Sequence, residues 1–107
     1  MKTISSDELK ARLDAGEKIN LIDVRAEIEH QEFNIGGTLF PLPVIQTMAI
    51  EPLEDLKDEE VICYCRSGRR SEMACLMLEH LGFTNTYNLV GGMLEWQDKG
   101  FAGKSGL

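Results

Sequence analysis

The run Cys65-Arg66-Ser67-Gly68-Arg69-Arg70-Ser71 gathers a nucleophile, a flexible glycine, cations and hydroxyls into one short stretch. It follows the apolar segment Val61-Ile62-Cys63-Tyr64 and precedes a helical one. A cysteine at the end of a buried strand, just ahead of a helix, faces backbone N–H groups that have no partner within the helix and favour negative charge. Such a cysteine ionises more readily than a free one, and the thiolate is the nucleophilic form. A pKa falling from about 8.5 to about 6.5 lifts the ionised fraction at pH 7 from about 3% to about 75%. Gly68 lets the loop take positive φ so that its amides converge. Ser67 and Ser71 add hydroxyl donors, although Ser71 would serve equally as a helix cap. Arg66, Arg69 and Arg70 offer forked donors that suit an oxyanion. The chemistry specified is attack by Cys65 on a small anionic substrate.

The remaining reactive side chains read differently. Cys63 lies in mid-strand and Cys75 inside a helix, so both are expected to be inert buried thiols. The alternative for Cys75 is a resolving thiol, since oxidised reactive cysteines often have one nearby. His80 falls late in a helix, where a cation complements the dipole. His30 has no evident partner, and no His-Asp pair adjoins Cys65 in sequence, so no cysteine-histidine triad is legible. Cys-x-Cys spacing with two remote histidines does not match zinc ligation, and neither a metal nor a cofactor is expected. Three cysteines, an odd number, argue against a disulfide framework.

The elements that must position the loop follow from patterning. Ser5 and Glu8 form a capping box for a first helix, with Ile4 and Leu9 placed as a hydrophobic staple, Leu9 and Leu13 on one face and Gly16 as its stop. Residues 19–24 are a short, nearly continuous apolar strand of the kind buried on both faces. Residues 26–33 are helical in character. Gly36 and Gly37 break the chain, residues 38–40 suit a short strand, and Pro41 and Pro43 end it. A helix is expected over 44–50, closed by Pro52, and residues 51–60 read as acidic and exposed. The strand over 60–64 is β-branched and aromatic. The helix over 71–81 carries an apolar stripe of Ala74, Met77, Leu78 and Leu81, with Gly82 and Phe83 completing a C-terminal cap. A strand over 86–90, a Gly91-Gly92 turn and a helical segment over 93–98, anchored by Trp96, finish the chain. Strands alternating with helices predict an α/β fold with a mostly parallel sheet, whose ligands bind at the carboxyl ends of the strands. Cys65 stands at such an end.

Bulk properties narrow the partners. The chain of 107 residues, 43% hydrophobic and 27% charged, is expected to form one domain spanning 1–107 with a real core. A net charge of −7 with no long basic stripe argues against nucleic acid or an anionic membrane as partner. The polar N-terminus lacks a signal-like apolar core, and no stretch approaches the roughly 20 apolar residues of a membrane span. A cytoplasmic protein is the simplest expectation. With no heptad and no large apolar stripe, it is expected to be a monomer.

Three separated motifs, in order, cover nearly the whole chain and resemble the single-domain rhodaneses, the thiosulfate sulfurtransferases. Leu21-Ile22-Asp23-Val24-Arg25 with Glu29 and Gly36-Gly37 resembles their first signature. Residues 61–71 resemble their active-site strand, loop and helix start, and Tyr87 to Trp96 resembles their closing signature. The resemblance implies a five-stranded parallel sheet with helices on both faces. It implies a reaction in which Cys65 takes the outer sulfur of a donor such as thiosulfate, becomes a persulfide, and passes the sulfur to cyanide, a thiol or a protein. It also implies a substrate cradle of Arg66, Ser67, Gly68, Arg69, Arg70 and Ser71, whose amides surround the sulfur while the arginines steer the donor. Asp23 and Arg25 read as a structural ion pair. Asn34 stands where the family commonly has histidine, and Gly36 where it commonly has proline. Substrate preference is therefore expected to be altered along Asn34 to Pro43. The rivals are a persulfide carrier or interaction module and a Cdc25-like phosphatase or arsenate reductase. The phosphatase type needs five residues between its cysteine and arginine; here four separate Cys65 from Arg70, a smaller cradle suited to one sulfur.

Overall fold

β4 (Val61–Tyr64) explains the layering, because all four of its side chains are buried and they alternate between two cores. Val61 and Cys63 face one side, where Ile45, Ala74, Cys75 and Leu78 pack; Ile62 and Tyr64 face the other, with Leu9, Met93 and Trp96. This is the two-residue period of a strand covered on both faces. The computed structural model describes residues 1–106. In chain order the remaining elements are β1 (Lys2–Ile4), α1 (Ser6–Asp14), β2 (Asn20–Asp23), α2 (Glu27–Glu32), β3 (Thr38–Leu39), α3 (Leu42–Gln46), a 3₁₀ turn (Glu51–Leu56), α4 (Arg69–His80), β5 (Thr86–Leu89) and α5 (Gly92–Asp98). The five strands run in the order β1-β5-β4-β2-β3, and every pairing is parallel. α3 and α4 cover one face of the sheet, α1 and α5 the other. Fully burying one such large apolar side chain is worth about 1.5–3 kcal/mol.

Local signals behave as their chemistry dictates. The Ser5 hydroxyl accepts from the Glu8 amide at 3.1 Å, and the Ser5 amide donates to Glu8 Oε1 at 3.2 Å, the reciprocal capping box. Trp96 is buried at 1% exposure and donates its indole N–H to Ala102 O at 3.0 Å. Phe83 N–H returns to Leu78 O at 3.0 Å to close α4.

Three expectations need correction. β1 has no counterpart in the sequence reading: it is a three-residue edge strand whose Lys2 and Thr3 are exposed, too short and polar to show a period, yet Ile4 pairs with Leu89. α3 spans Leu42–Gln46 rather than 44–50. Pro41 is its N-cap and Pro43 sits in the first turn, where a missing N–H is harmless, so Pro43 opens a helix instead of merely ending a strand. Met48 then adopts φ 63°, a left-handed conformation that cannot continue the helix. Finally, the acidic segment 51–60 is not simply exposed, because its 3₁₀ turn buries Leu53 to 1%. Among the described residues, no helix is long and apolar enough to cross a membrane.

Candidate active site

Cys65 is the first residue beyond β4, where the chain leaves the sheet. Gly68 is the N-cap of α4 at φ 101°, a left-handed turn that glycine adopts without strain. The helix therefore begins at Arg69, two residues earlier than expected, and Ser71 lies inside its first turn rather than capping it. This geometry aims the free amides of the turn at the sulfur. Cys65 Sγ accepts from Gly68 N at 3.1 Å and from Ser71 N at 3.4 Å, and Ser71 Oγ lies 3.3 Å away. The residue is 1% exposed. Burial pushes its thiol up, but the Ser71 hydroxyl and the amides of Ser71, Gly68 and Ser67 outweigh it, leaving the pKa below the ordinary cysteine value.

A side chain from the next strand completes the cradle. Asn88 on β5, 4% exposed, accepts from Ser71 Oγ at 2.5 Å and donates Nδ2–H to Gly68 O at 3.0 Å. The second bond fixes the amide orientation, so its oxygen faces Ser71. Ser71 has one proton and two acceptors in reach: a neutral Cys65 donates to Ser71 Oγ, whereas a thiolate draws the Ser71 proton from Asn88. The first turn of α5 holds the loop from below. Met93 N donates to Cys65 O and Leu94 N to Arg66 O, each at 2.9 Å. Gly92 has to be glycine here, because a Cβ would meet Cys65 O at 2.5 Å.

The three loop arginines separate. Arg70 forms a forked pair with Glu29 of α2, at 2.7 and 2.8 Å, so its guanidinium is engaged rather than open to a donor. The Arg70 bonds pull Glu29 down to about 2 against a smaller upward push from burial. Arg66 and Arg69 are exposed and have no ion-pair partner among the described residues. Asp23, fully buried, takes Arg25 at 2.9 and 2.8 Å and also His30 Nδ1 at 2.7 Å, which supplies the partner His30 lacked in the sequence. Asn34 is buried and committed to backbone: it donates to His30 O at 2.8 Å and accepts from Gly36 N at 2.8 Å, and its main chain pairs with Lys104. These bonds tie it to α2, the Gly36 turn and the C-terminal segment, and none of them reaches the cradle.

Cys63 and Cys75 form a second, separate thiol pair in the core. Cys75 Sγ donates to Tyr87 O at 3.3 Å, and the neighbouring Cys75 sulfur, with burial, raises Cys63 far above the ordinary value. Sequence reasoning missed Asn88 and the reach of Glu29. The available signal for Asn88 was a polar side chain in a strand otherwise bound for burial, which has to find partners.

The family model for the rhodanese-like domain matches residues 5–99. The chain is 37% identical over 97 residues to a sulfurtransferase of Allochromatium vinosum, covering 91% of this chain and 89% of that protein. It is 36% identical over 97 residues to YrkF of Bacillus subtilis, whose name describes a sulfur carrier protein; the match covers 90% of this chain but 51% of that relative's length. Among solved structures, a rhodanese-like domain protein from Staphylococcus aureus superposes with a TM-score of 0.80 at 33% identity, covering 98% of this chain and all of that one.

Proposed function

The chain belongs to the rhodanese-like domain family, and from that premise we propose that it is a sulfurtransferase working through a Cys65 persulfide. The observation that carries the reading is the convergence of the Gly68 and Ser71 amides and the Ser71 hydroxyl on one sulfur. The Cys65 thiolate attacks the outer sulfur of thiosulfate, the S–S bond of the donor breaks, and sulfite leaves with the electron pair. The new terminal sulfur of the persulfide carries negative charge, which the same amides stabilise. A thiophilic acceptor then attacks that outer sulfur and Cys65 departs as thiolate, ready for the next donor. Two easy displacements replace one difficult transfer.

The test is direct. Purified protein incubated with thiosulfate is weighed by mass spectrometry and then given cyanide. One added sulfur on wild type, none on Cys65→Ser, and thiocyanate released on cyanide addition support the reading. No adduct and no thiocyanate overturn it, as does turnover of an aryl phosphate without sulfur transfer. The sulfur carrier named among the relatives favours a second reading, in which the persulfide is passed once to a partner. Repeated turnover with cyanide distinguishes the enzyme from such a carrier.

A further inference from the structure

Beside the junction of the Cys65 loop with α5 lies a cleft of about 250 Å³. Phe33, Met93 and Leu94 give it an apolar wall, and Arg66, Glu32 and Gln97 give it polar groups of both signs. Its other two charged residues are committed: Arg25 to Asp23 and the Phe33 carbonyl, Glu29 to Arg70. Arg66, Glu32 and Gln97 have no ion pair and no side-chain hydrogen bond among the described residues. A concave site that combines one open cation, one open anion, an amide and an apolar wall is poorly suited to an inorganic oxyanion. Glu32 would repel thiosulfate, and the wall would do nothing for it. The volume is below the usual range of about 300–1,000 Å³ for ligand pockets, which fits a small organic molecule.

Resting on the persulfide reading of Cys65, we propose that this cleft seats the sulfur acceptor, a low-molecular-weight thiol bearing both a carboxylate and an ammonium group. Arg66 takes the carboxylate in a forked contact, Glu32 the ammonium, and the Phe33, Met93 and Leu94 wall the methylene body. The cleft joins the nucleophile through Arg66, the next residue in the chain, and through Met93, whose N–H holds Cys65 O at 2.9 Å. Cys65 itself does not line it. The acceptor thiol therefore reaches past Arg66 to the cradle, which favours a peptide-like molecule whose sulfur stands on a side arm away from its charged ends. In the step, the acceptor thiol gives its proton to the anionic outer sulfur of the Cys65 persulfide, and the thiolate so formed attacks that sulfur. The persulfide S–S bond breaks with its electron pair passing to Cys65, and the proton stays on the new acceptor persulfide.

The experiment begins with protein loaded by thiosulfate and desalted, with loading scored by mass. Discharge is then timed with glutathione, 3-mercaptopropionate, cysteamine and 2-mercaptoethanol, each rate corrected for thiolate content and taken per persulfide loaded. Glutathione is expected to lead by about tenfold in kcat/KM, the worth of one charge-assisted contact. Arg66→Ala and Glu32→Gln should each erase most of that lead through KM, Arg66→Ala narrowing the gap to cysteamine and Glu32→Gln the gap to 3-mercaptopropionate. Both side chains are exposed, so the core is untouched. Rates that follow thiolate content alone, or a lead that survives both substitutions, overturn the proposal. Failure to load overturns the persulfide reading instead, so the two failures are distinguishable.

Discussion

Cys63 and Cys65 lie two residues apart, share one core and are equally inaccessible at 0% and 1% exposure, yet their surroundings drive their thiols in opposite directions. Cys63 rises, through the neighbouring Cys75 sulfur and through burial; Cys65 falls despite burial. Burial pushes both thiols up, so it is the supply of donors at Cys65 that turns the direction. At Cys63 the chain is held between two neighbours, paired with Ile22 on one side and Asn88 on the other, so its backbone amides belong to the sheet. Two residues later the chain has left the ladder, and the first turn of α4 presents amides with no other duty. The same residue type becomes inert or reactive according to which side of a strand end it occupies.

The largest test of this contrast is selective labelling. Iodoacetamide at neutral pH should modify Cys65 in folded protein about a hundredfold faster than Cys63 or Cys75, or more, and Cys65→Ser should abolish nearly all labelling. In urea all three should react alike, and comparable labelling of Cys63 in the folded state would break the comparison. Next in size is Ser71→Ala, which removes the hydroxyl donor while leaving the amide. A hydrogen bond to a charged group is worth about 1.5–3 kcal/mol, so the Cys65 pKa should rise. Ultraviolet titration of the thiolate would show this, together with roughly tenfold slower alkylation near neutrality that recovers at high pH.

Smaller effects sharpen the other half. Cys63→Ala or Cys75→Ala should destabilise the fold by about 1–2 kcal/mol, from a small cavity and a lost hydrogen bond, and leave the Cys65 titration in place. Urea melts beside thiolate titrations would separate the two readouts. The smallest effect concerns Glu29, held at about 2 by Arg70 against an ordinary 4.5. Because the folded pKa is depressed, the stabilisation is present in full above the unfolded value and is lost as pH falls through the folded one. The stability gap between wild type and Glu29→Gln should therefore be constant above about pH 4.5 and close progressively toward pH 2. A gap that is unchanged across that window would show that the pair does not act through Glu29 ionisation.

How much of this was legible depended on how local each signal was. The Cys65 loop, the capping box of α1, β4 and the apolar stripe of α4 are each written within a few consecutive residues, and the sequence shows them. Elements whose state depends on a distant neighbour were hidden. β1 exists because β5 offers it an edge, and nothing in Lys2-Thr3-Ile4 alone says so. α3 was misplaced because Pro43 reads locally as a breaker, although the first turn of a helix accepts it. The site divided in the same way. The amides around Cys65 follow from the loop, but Asn88 is 23 positions on, and Arg70 meets Glu29 across 41 positions, so neither partnership has a local pattern. His30 likewise needed the fold to bring Asp23 to it.

The contacts from Asn88, Met93 and Leu94 have a consequence for the order of events during biosynthesis. The nucleophile is made long before the residues that hold its loop in shape. A chain still emerging at Ser71 lacks β5 and α5, and its two cysteines, Cys63 and Cys65, are ordinary thiols with nothing to tell them apart. Reactivity arrives only when the last strand docks and α5 closes beneath the loop. An incomplete chain is thereby spared premature chemistry at Cys65, and the alkylation rate of that one sulfur becomes an internal clock for the completion of folding.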